Sequence, residues 1–414
     1  MSEYVIIGDG IAGSSAAETL REEAPDSSIT VITDEGEPLY NRILIKEHAK
    51  GKLPEAPISI HEESWYDERD IALSLDTHVV SIDTDEKIVH THEGEEIPYD
   101  RLLVATGGTP TQLPVPNSDA DGIHHFWTFQ DARAIRASAE AAEKGVAIGA
   151  GLLGIDFAAV MGSQDVDGKY LMRGDRWWRY ALSADGADII HQGLRDIGVE
   201  PVFDSGVERF EVDDDGHVTA AIDPNGDRYP CDFAGVAIGL HFNVEFLRGS
   251  GIHEDNGITV DEFMRTSVDD VYAAGDITRF HDVLLGERAQ NGSWGSAKEQ
   301  GRIAGITMAA DEPAEPFEWV SSYSITHFDF PFLSFGHPTM GNDHVERRYG
   351  DNTWRRVALQ DGRVIGGVLI GDLSQQRPLK KLMRERRSVG DRTDVLLEEK
   401  IDLDELAPPQ EQEL

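Results

Sequence analysis

A six-residue glycine-rich turn occurs twice in this chain, each time between an apolar run and a helix-like stretch. Gly8-Asp9-Gly10-Ile11-Ala12-Gly13 follows Tyr4-Val5-Ile6-Ile7, and Gly149-Ala150-Gly151-Leu152-Leu153-Gly154 follows Val146-Ala147-Ile148. In such a strand–turn–helix the first glycine permits the tight turn, the second lets backbone approach a pyrophosphate, and the third lets helix and strand pack closely. The helix N-terminus then presents unpaired N–H groups and the positive end of a dipole to an anion. One such turn holds one dinucleotide. Two of them point to two dinucleotides, with electrons passing between them.

The 414 residues suffice for two or three domains with a sizeable core. The charge is extreme, with 77 acidic against 37 basic residues and a formal balance of −40. This argues against nucleic acid, whose phosphates need Lys and Arg. The acids are scattered, as in Asp213-Asp214-Asp215 and Glu398-Glu399. That spread fits a protein kept soluble by self-repulsion in a high-salt cytoplasm; a docking surface for a basic partner would concentrate it. No apolar run approaches the ~20 residues of a membrane span, and no basic segment followed by an apolar one opens the chain, so neither a span nor a secretory leader is expected. The single cysteine, Cys231, rules out an intrachain disulfide, a redox dithiol and an iron–sulfur ligand set.

Along the chain, strands are predicted at 4–7, 29–32, 79–82, 101–104, 169–172, 207–210, 217–222 and 236–238, with a hairpin at 86–99 turning at Gly94. Helices are predicted at 14–23, 129–144, 155–162, 187–197 and 295–310. A third informative block, Val271-Tyr272-Ala273-Ala274-Gly275-Asp276, reads as a buried strand ending in Gly-Asp. From about Phe317 a separate β-rich module follows, including Val364–Ile370 and a helix at 379–387. The end, with Pro408-Pro409-Gln410-Glu411, reads as a loose acidic tail.

The two glycine turns, Ala105-Thr106-Gly107 and Ala273-Ala274-Gly275-Asp276 stand in an order that resembles the pyridine nucleotide-disulfide oxidoreductase superfamily. Tyr40-Asn41-Arg42 and the stretch Gly366–Gly371 point the same way. The likeness covers roughly residues 3–390. It is strongest to the branch without a redox disulfide, which includes rubredoxin and ferredoxin reductases and the FAD-binding part of nitrite reductase large subunits. The resemblance implies an α/β fold: two Rossmann-like dinucleotide-binding domains in the three-layer, glutathione reductase-like arrangement, plus a C-terminal α+β interface domain. The expected divisions are a discontinuous FAD domain (1–115 and 236–312), an inserted NAD(P)H domain (116–235), the interface domain (313–392) and the tail (393–414).

The same resemblance assigns roles. Gly8, Gly10, Ile11, Ala12 and Gly13 would hold the FAD pyrophosphate, and Asp34, 21 residues past Gly13, the adenosine ribose, with Glu35 the alternative by one residue. Arg42 would lie near the pyrophosphate or flavin, Val80 would meet the adenine through its backbone, Ala105, Thr106 and Gly107 would border the cofactor, and Gly275-Asp276 would take the ribityl chain or pyrophosphate edge. Trp294 stands where relatives place an aromatic near the flavin. Gly149, Gly151, Leu152, Leu153 and Gly154 would hold NADH or NADPH, with Gly239 allowing the nicotinamide close. A Lys–acid pair that relatives keep near the flavin would be Lys46 and Asp156, although Glu47 fills the family's lysine position by count, and one residue is ~100° of helix rotation.

Nucleotide choice stays open at this level. Asp175 lies 21 residues past Gly154 and favours NAD; Arg173 and Arg176 favour NADP. Trp177-Trp178 read as adenine neighbours or as core. His90, His92, His124, His125 and His327 read as loop residues, since no Cys or acid spacing makes them metal ligands. The function expected is an FAD-dependent NAD(P)H oxidoreductase passing electrons to a ferredoxin or rubredoxin, as a monomer or homodimer. The alternatives are a small-molecule or quinone reductase and a non-catalytic flavin-binding subunit.

Overall fold

A computed structural model describes residues 2–310 and 315–406. The chain forms two compact units: Met1–Ile43, Glu55–Thr109 and Leu240–Ser321 make the first, and Leu44–Pro54, Pro110–Gly239 and Ser322–Leu414 the second.

The first unit opens with β1 (Glu3–Ile7), α1 (Ile11–Glu23) and β2 (Ser28–Ile32). Its five-stranded sheet runs Val271–Ala273, Arg101–Val104, β1, β2, Ile71–Ser74, and every neighbouring pair is parallel. A parallel sheet is covered on both faces, so its strands are apolar runs rather than alternating ones. Tyr4 to Ile7 and Leu102 to Val104 are all buried accordingly. The hairpin expected at 86–99 belongs to a three-stranded antiparallel sheet, Val79–Asp83, Ile88–Thr91 and Glu96–Pro98.

The Trp294–Ala309 helix, one residue earlier than its expected start, packs on α1 through glycines. A Cβ on Gly301 would stand 2.0 Å from the Ala12 carbonyl oxygen, and one on Gly305 2.9 Å from that of Ala16. The small residues let the two backbones touch.

The second unit repeats the opening motif with β3 (Lys144–Ile148), α2 (Gly154–Ser163) and β4 (Asp167–Leu171). Its parallel sheet runs Val199–Val202, β4, β3, Phe233–Val236, Ile123–His125. The preceding helix, Phe129–Ala141, begins in a capping box: Thr128 Oγ1 accepts from the Asp131 N–H at 3.0 Å, and Asp131 Oδ2 from the Thr128 N–H at 2.7 Å. It ends before the expected Lys144, which is already the first residue of β3. The strand expected at 236–238 sits earlier, at Phe233–Val236, and that at 207–210 later, at Arg209–Val212.

The β-rich module is a five-stranded antiparallel sheet in the order Ser322–Ile325, Phe332–Gly336, Arg363–Ile370, Thr353–Gln360, Asp343–Gly350, backed by the helix Gln376–Arg384. The segment beyond it is not loose from residue 393 onward. The buried Arg355 guanidinium donates to the carbonyls of Leu396 and Glu398 at 2.9 and 2.8 Å, and Arg387 donates to Leu403 and Leu406 at 2.7 and 2.5 Å. Residues 407–414, with Pro408 to Glu411 of the expected acidic tail, lie outside the described residues.

The contact at Gly301 gives a direct test. Gly301→Ala drives a methyl into the Ala12 carbonyl, an overpacking that costs about 1–3 kcal/mol. Thermal denaturation should show a melting temperature several degrees lower, at about 2–4 °C per kcal/mol for a domain of this size. An unchanged melting temperature would mean that the helices separate freely.

Candidate functional site

In the first unit the glycine turn is set by backbone contact. Gly8 has φ +107°, and a Cβ there would stand 2.4 Å from the Ala105 carbonyl oxygen; on Gly13 it would stand 1.9 Å from that of Gly8. Gly10 differs, because a Cβ on it meets nothing within 4 Å. The middle of the turn therefore borders open space. Above it, α1 begins after Gly10 with no side-chain cap and no acid in its first turn. Its first N–H groups and its dipole face that opening uncompensated, which is what an anion requires.

The residues around the turn are tied in place by polar contacts that the sequence does not announce. Asp9 is buried; it accepts from the Tyr66 hydroxyl at 2.8 and 2.7 Å and from the Leu39 N–H at 3.0 Å. Burial raises its carboxyl pKa to about 7, against the partial relief of the Tyr66 and Leu39 hydrogen bonds. Asp34 lies two residues past the end of β2 and is exposed. Glu35, the alternative, is occupied: it accepts from the Tyr40 hydroxyl at 2.5 Å and pairs with Arg42. Among the described residues Asp34 has no such partner.

Ala105 continues from its strand, with its N–H on the Ile7 carbonyl; Thr106 is exposed and Gly107 has φ +62°. The antiparallel ladder shifts register at Val80, between Val79 and Ser81. Gln300, fully buried in the Trp294–Ala309 helix, accepts from the Gly275 N–H and the Thr278 hydroxyl, both at 2.8 Å, and so fixes the Gly275-Asp276 turn. Burial pushes Asp276 up to about 6, with Arg42 pulling it back. Trp294 opens its helix, partly exposed.

In the second unit the same geometry recurs. Gly149 has φ +111°, with a Cβ position 2.0 Å from the Ala237 carbonyl oxygen; that of Gly154 is 2.0 Å from the Gly149 carbonyl oxygen, and Gly151 again faces open space. Here the helix begins later, at Gly154, with Leu153 as its uncapped N-cap residue. Gly239, at φ +120°, has only Thr111 Oγ1, 3.9 Å from its Cβ position. Trp177 is wholly buried and donates from Nε1 to the Gly151 carbonyl at 3.3 Å, while the Trp178 N–H bonds Ala150 at 3.1 Å. Trp177 is a core residue bracing the turn from behind. Asp175 is paired to Arg176 at 2.6 Å, and Arg173 is exposed.

The Lys46–Asp156 pair forms. Lys46, on the short helix Ile45–Ala49, donates to Asp156 Oδ2 at 2.6 Å and to the Tyr323 oxygen at 2.9 Å. Tyr323 lies 3.3 Å from the same carboxylate and 3.1 Å from the Leu152 carbonyl. His327 Nε2 meets Asp156 Oδ1 at 2.8 Å, and Lys50 approaches its Nδ1 at 3.2 Å. An ammonium can only donate, so Nδ1 accepts and the Nε2–H points to Asp156. Burial disfavours the Asp156 charge, but Lys46 and His327 outweigh it and hold the carboxyl below its ordinary value. Burial likewise opposes the Lys46 charge, which Asp156 and Tyr323 restore and raise. Glu47, the competing position by count, turns to Lys50 at 2.5 Å.

Tyr323 and His327 had no local signal, being more than 160 residues from Asp156. His327, read as a loop histidine, is a buried partner of that carboxylate. His124 and His125 lie in a strand, and burial lowers the His124 pKa to about 4. Cys231 is buried, with its thiol pushed up to about 12.

With this geometry in hand, residues 2–311 match the pyridine nucleotide-disulphide oxidoreductase family. The NAD(P)H nitrite reductase of Bacillus subtilis is 26% identical over 397 residues, which are 94% of this chain and 48% of that protein. The putidaredoxin reductase of Pseudomonas putida is 30% identical over 329 residues, 78% of each chain. A crystal structure of the covalent putidaredoxin reductase–putidaredoxin complex superposes with a TM-score of 0.90 at 26% identity, covering 98% of this chain and 97% of that one. The chain spans about half the length of the nitrite reductase it matches.

The buried charges make two outcomes measurable. Asp9 has a folded pKa near 7 against 3.8 unfolded, so between these values the native state keeps a proton that the unfolded chain has released. Stability therefore falls as pH rises through that window, and the full penalty, up to about 4 kcal/mol for three pKa units, stands above pH 7. Asp9→Asn keeps an acceptor and removes the charge, so its melting temperature should change less than wild type between pH 5 and 8; parallel profiles would refute this. Lys46→Met leaves the Asp156 carboxylate buried without its ammonium and should destabilise the protein by about 3–5 kcal/mol in denaturant unfolding.

Proposed function

The chain belongs to the pyridine nucleotide-disulphide oxidoreductase family, and we propose that it is an FAD-dependent NAD(P)H oxidoreductase that delivers electrons to a small redox protein such as a ferredoxin or rubredoxin. One observation carries the reading: two glycine turns, each on its own parallel sheet, each closed by backbone contact at its outer glycines and open at its middle one. The first fits FAD. Gly10 leaves room where a Cβ would intrude, the N-terminus of α1 is uncapped, and Asp34 is uncommitted.

FAD, when bound, takes up a hydride from NAD(P)H and releases electrons one or two at a time. The protein supplies position. Gly8, Gly10, Ile11, Ala12 and Gly13 receive the pyrophosphate, Asp34 the adenosine ribose, Val80 the adenine, and Ala105–Gly107, Arg42, Asp276 and Trp294 the remainder. Gly149, Gly151, Leu152, Leu153, Gly154 and Gly239 receive the pyridine nucleotide. Lys46 and Asp156 form the catalytic pair: Asp156 keeps the Lys46 Nζ protonated. The first unit is thus the FAD domain, and the second carries the nucleotide domain and the interface module.

A protein acceptor is supported by the 30% identity to putidaredoxin reductase. Thiol chemistry is disfavoured, because the single cysteine is buried with its thiol pushed up to about 12. We place the protein in a high-salt cytoplasm on its −40 formal charge; among the described residues no helix is long and apolar enough to cross a membrane. It would act there as a monomer or homodimer.

The deciding experiment is an anaerobic titration in molar KCl. The purified protein should be yellow, be bleached by NADH or NADPH, and regain colour when oxidised ferredoxin or rubredoxin is added. A protein that takes up no flavin on soaking would overturn the reading, and one that reoxidises with quinones but with neither protein would overturn the acceptor. The melting temperature should rise with KCl across the molar range, as screening relieves the acidic self-repulsion.

A further inference from the structure

The two glycine turns occupy matching frames, and strand register identifies the residue that each frame places beside the ribose. In the first unit, Ile7 pairs with Ile32, and the Gly8 N–H bonds the Ile32 carbonyl at 2.7 Å. In the second, Ile148 pairs with Leu171, and the Gly149 N–H bonds the Leu171 carbonyl at 3.3 Å. Ile32 and Leu171 are therefore equivalent, and so are the residues two beyond them, Asp34 and Arg173. Counting from the third glycine instead selects Asp175, because α2 is 10 residues long against 13 in α1 and β4 is reached two residues sooner. The frame puts an arginine where the first turn has its ribose acid.

The neighbours of Arg173 agree with this. Met172 is buried and apolar. Asp175 is held by Arg176 Nη1 at 2.6 Å, and Arg176 Nε donates to the Leu182 carbonyl at 2.9 Å. At the strand end itself stands Arg173 rather than the acid that is the usual basis of NADH selection; a further carboxylate, Asp204, is exposed in the loop after the next strand, Val199–Val202, with its N–H on the Gly174 carbonyl at 3.1 Å. Arg173 is exposed, and among the described residues its guanidinium has no hydrogen bond or ion pair. Its stem passes Gly206, with Cγ 3.4 Å from that glycine's Cβ position. Arg179 lies over Gly174: its Cδ is 2.9 Å and its Nη1 3.2 Å from the Gly174 Cβ position, so any larger residue there would displace it. Its Nη2 donates to the Tyr180 hydroxyl at 2.9 Å. The acids acting on Arg179 are Asp175 and Asp204. Three guanidiniums, those of Arg173, Arg176 and Arg179, thus stand at this corner in a chain of formal charge −40.

We infer that the second turn selects NADPH, with Arg173 and Arg179 receiving its 2′-phosphate. The inference rests on the reading of that turn as a pyridine nucleotide site. Guanidinium groups suit phosphate because their planar donors can bond it in pairs.

The test is calorimetric and needs no turnover. 5′-AMP and 2′,5′-ADP differ only in the 2′-phosphate. The purified holoenzyme should bind 2′,5′-ADP at least about tenfold more tightly than 5′-AMP, and NADPH more tightly than NADH by a similar factor. The preference should shrink as KCl is raised. Arg173→Ala should cut it about tenfold and Arg173→Lys should retain part of it, with circular dichroism confirming that both variants fold. Equal affinities for the two adenine nucleotides, or a preference that survives Arg173→Ala, would overturn the inference while leaving the pyridine nucleotide site intact. Binding of neither NADH nor NADPH would instead overturn that site and this inference with it.

Discussion

The contact between bare backbones at the outer glycines of each turn governs everything built around it. Gly13 stands with its Cβ position 1.9 Å from the Gly8 carbonyl oxygen, and Gly154 with its own 2.0 Å from that of Gly149. No side chain fits there, so strand and helix approach until the helix N-terminus sits at the strand's C-terminal end. The same contact fixes the second strand, because the first glycine's N–H bonds that strand's last carbonyl. Turn, helix dipole and the residues after the second strand are thus one rigid object. Strand register selects which side chain follows the end of the second strand.

Register explains what the sequence could and could not disclose. The turns, the apolar strands and the Gly275-Asp276 block were legible, because each is a local pattern enforced by local sterics. The position of Asp34 just past its strand was legible because α1 has the length from which the usual count comes. Arg173 was ambiguous because α2 is shorter, an offset of two residues that only strand pairing reveals. Lys46 was ambiguous for the same kind of reason: its helix is five residues long, and a one-residue count decides which side chain turns toward Asp156. Tyr323, His327 and Gln300 carried no signal. Each reaches its partner across a long stretch of chain, and a tyrosine, histidine or glutamine in isolation is compatible with any surface. The chain end misled in the other direction, since its acidic, proline-bearing composition hid the carbonyls that Arg355 and Arg387 hold.

The first turn carries a carboxylate in its own sequence, Asp9, between Gly8 and Gly10. An ionised aspartate there would oppose the anion that the helix dipole attracts. Burial answers this by raising its pKa to about 7, and Tyr66 and Leu39 occupy its oxygens. Asp276, pushed up to about 6, obeys the same rule with Arg42 as the moderating charge. In a chain with forty more acids than bases, the carboxylates Asp9, Asp276 and Asp156 are either muted by desolvation or bound to a cation.

Asp156 shows the opposite solution in the second unit. It is just as buried, yet Lys46 and His327 hold it ionised. The difference lies in donors: Asp9 accepts from one neutral hydroxyl and one amide, whereas Asp156 accepts from an ammonium and an imidazole that is itself oriented by Lys50. With its carboxyl raised to about 7, Asp9 brings less charge to the first turn than an exposed aspartate would. An ionised Asp156 suits a lysine that must keep its proton. The two turns share one backbone geometry, and their divergence comes from what the fold delivers to each carboxylate: a tyrosine 57 residues away in one case, and in the other a lysine and a histidine from two separate segments of the second unit.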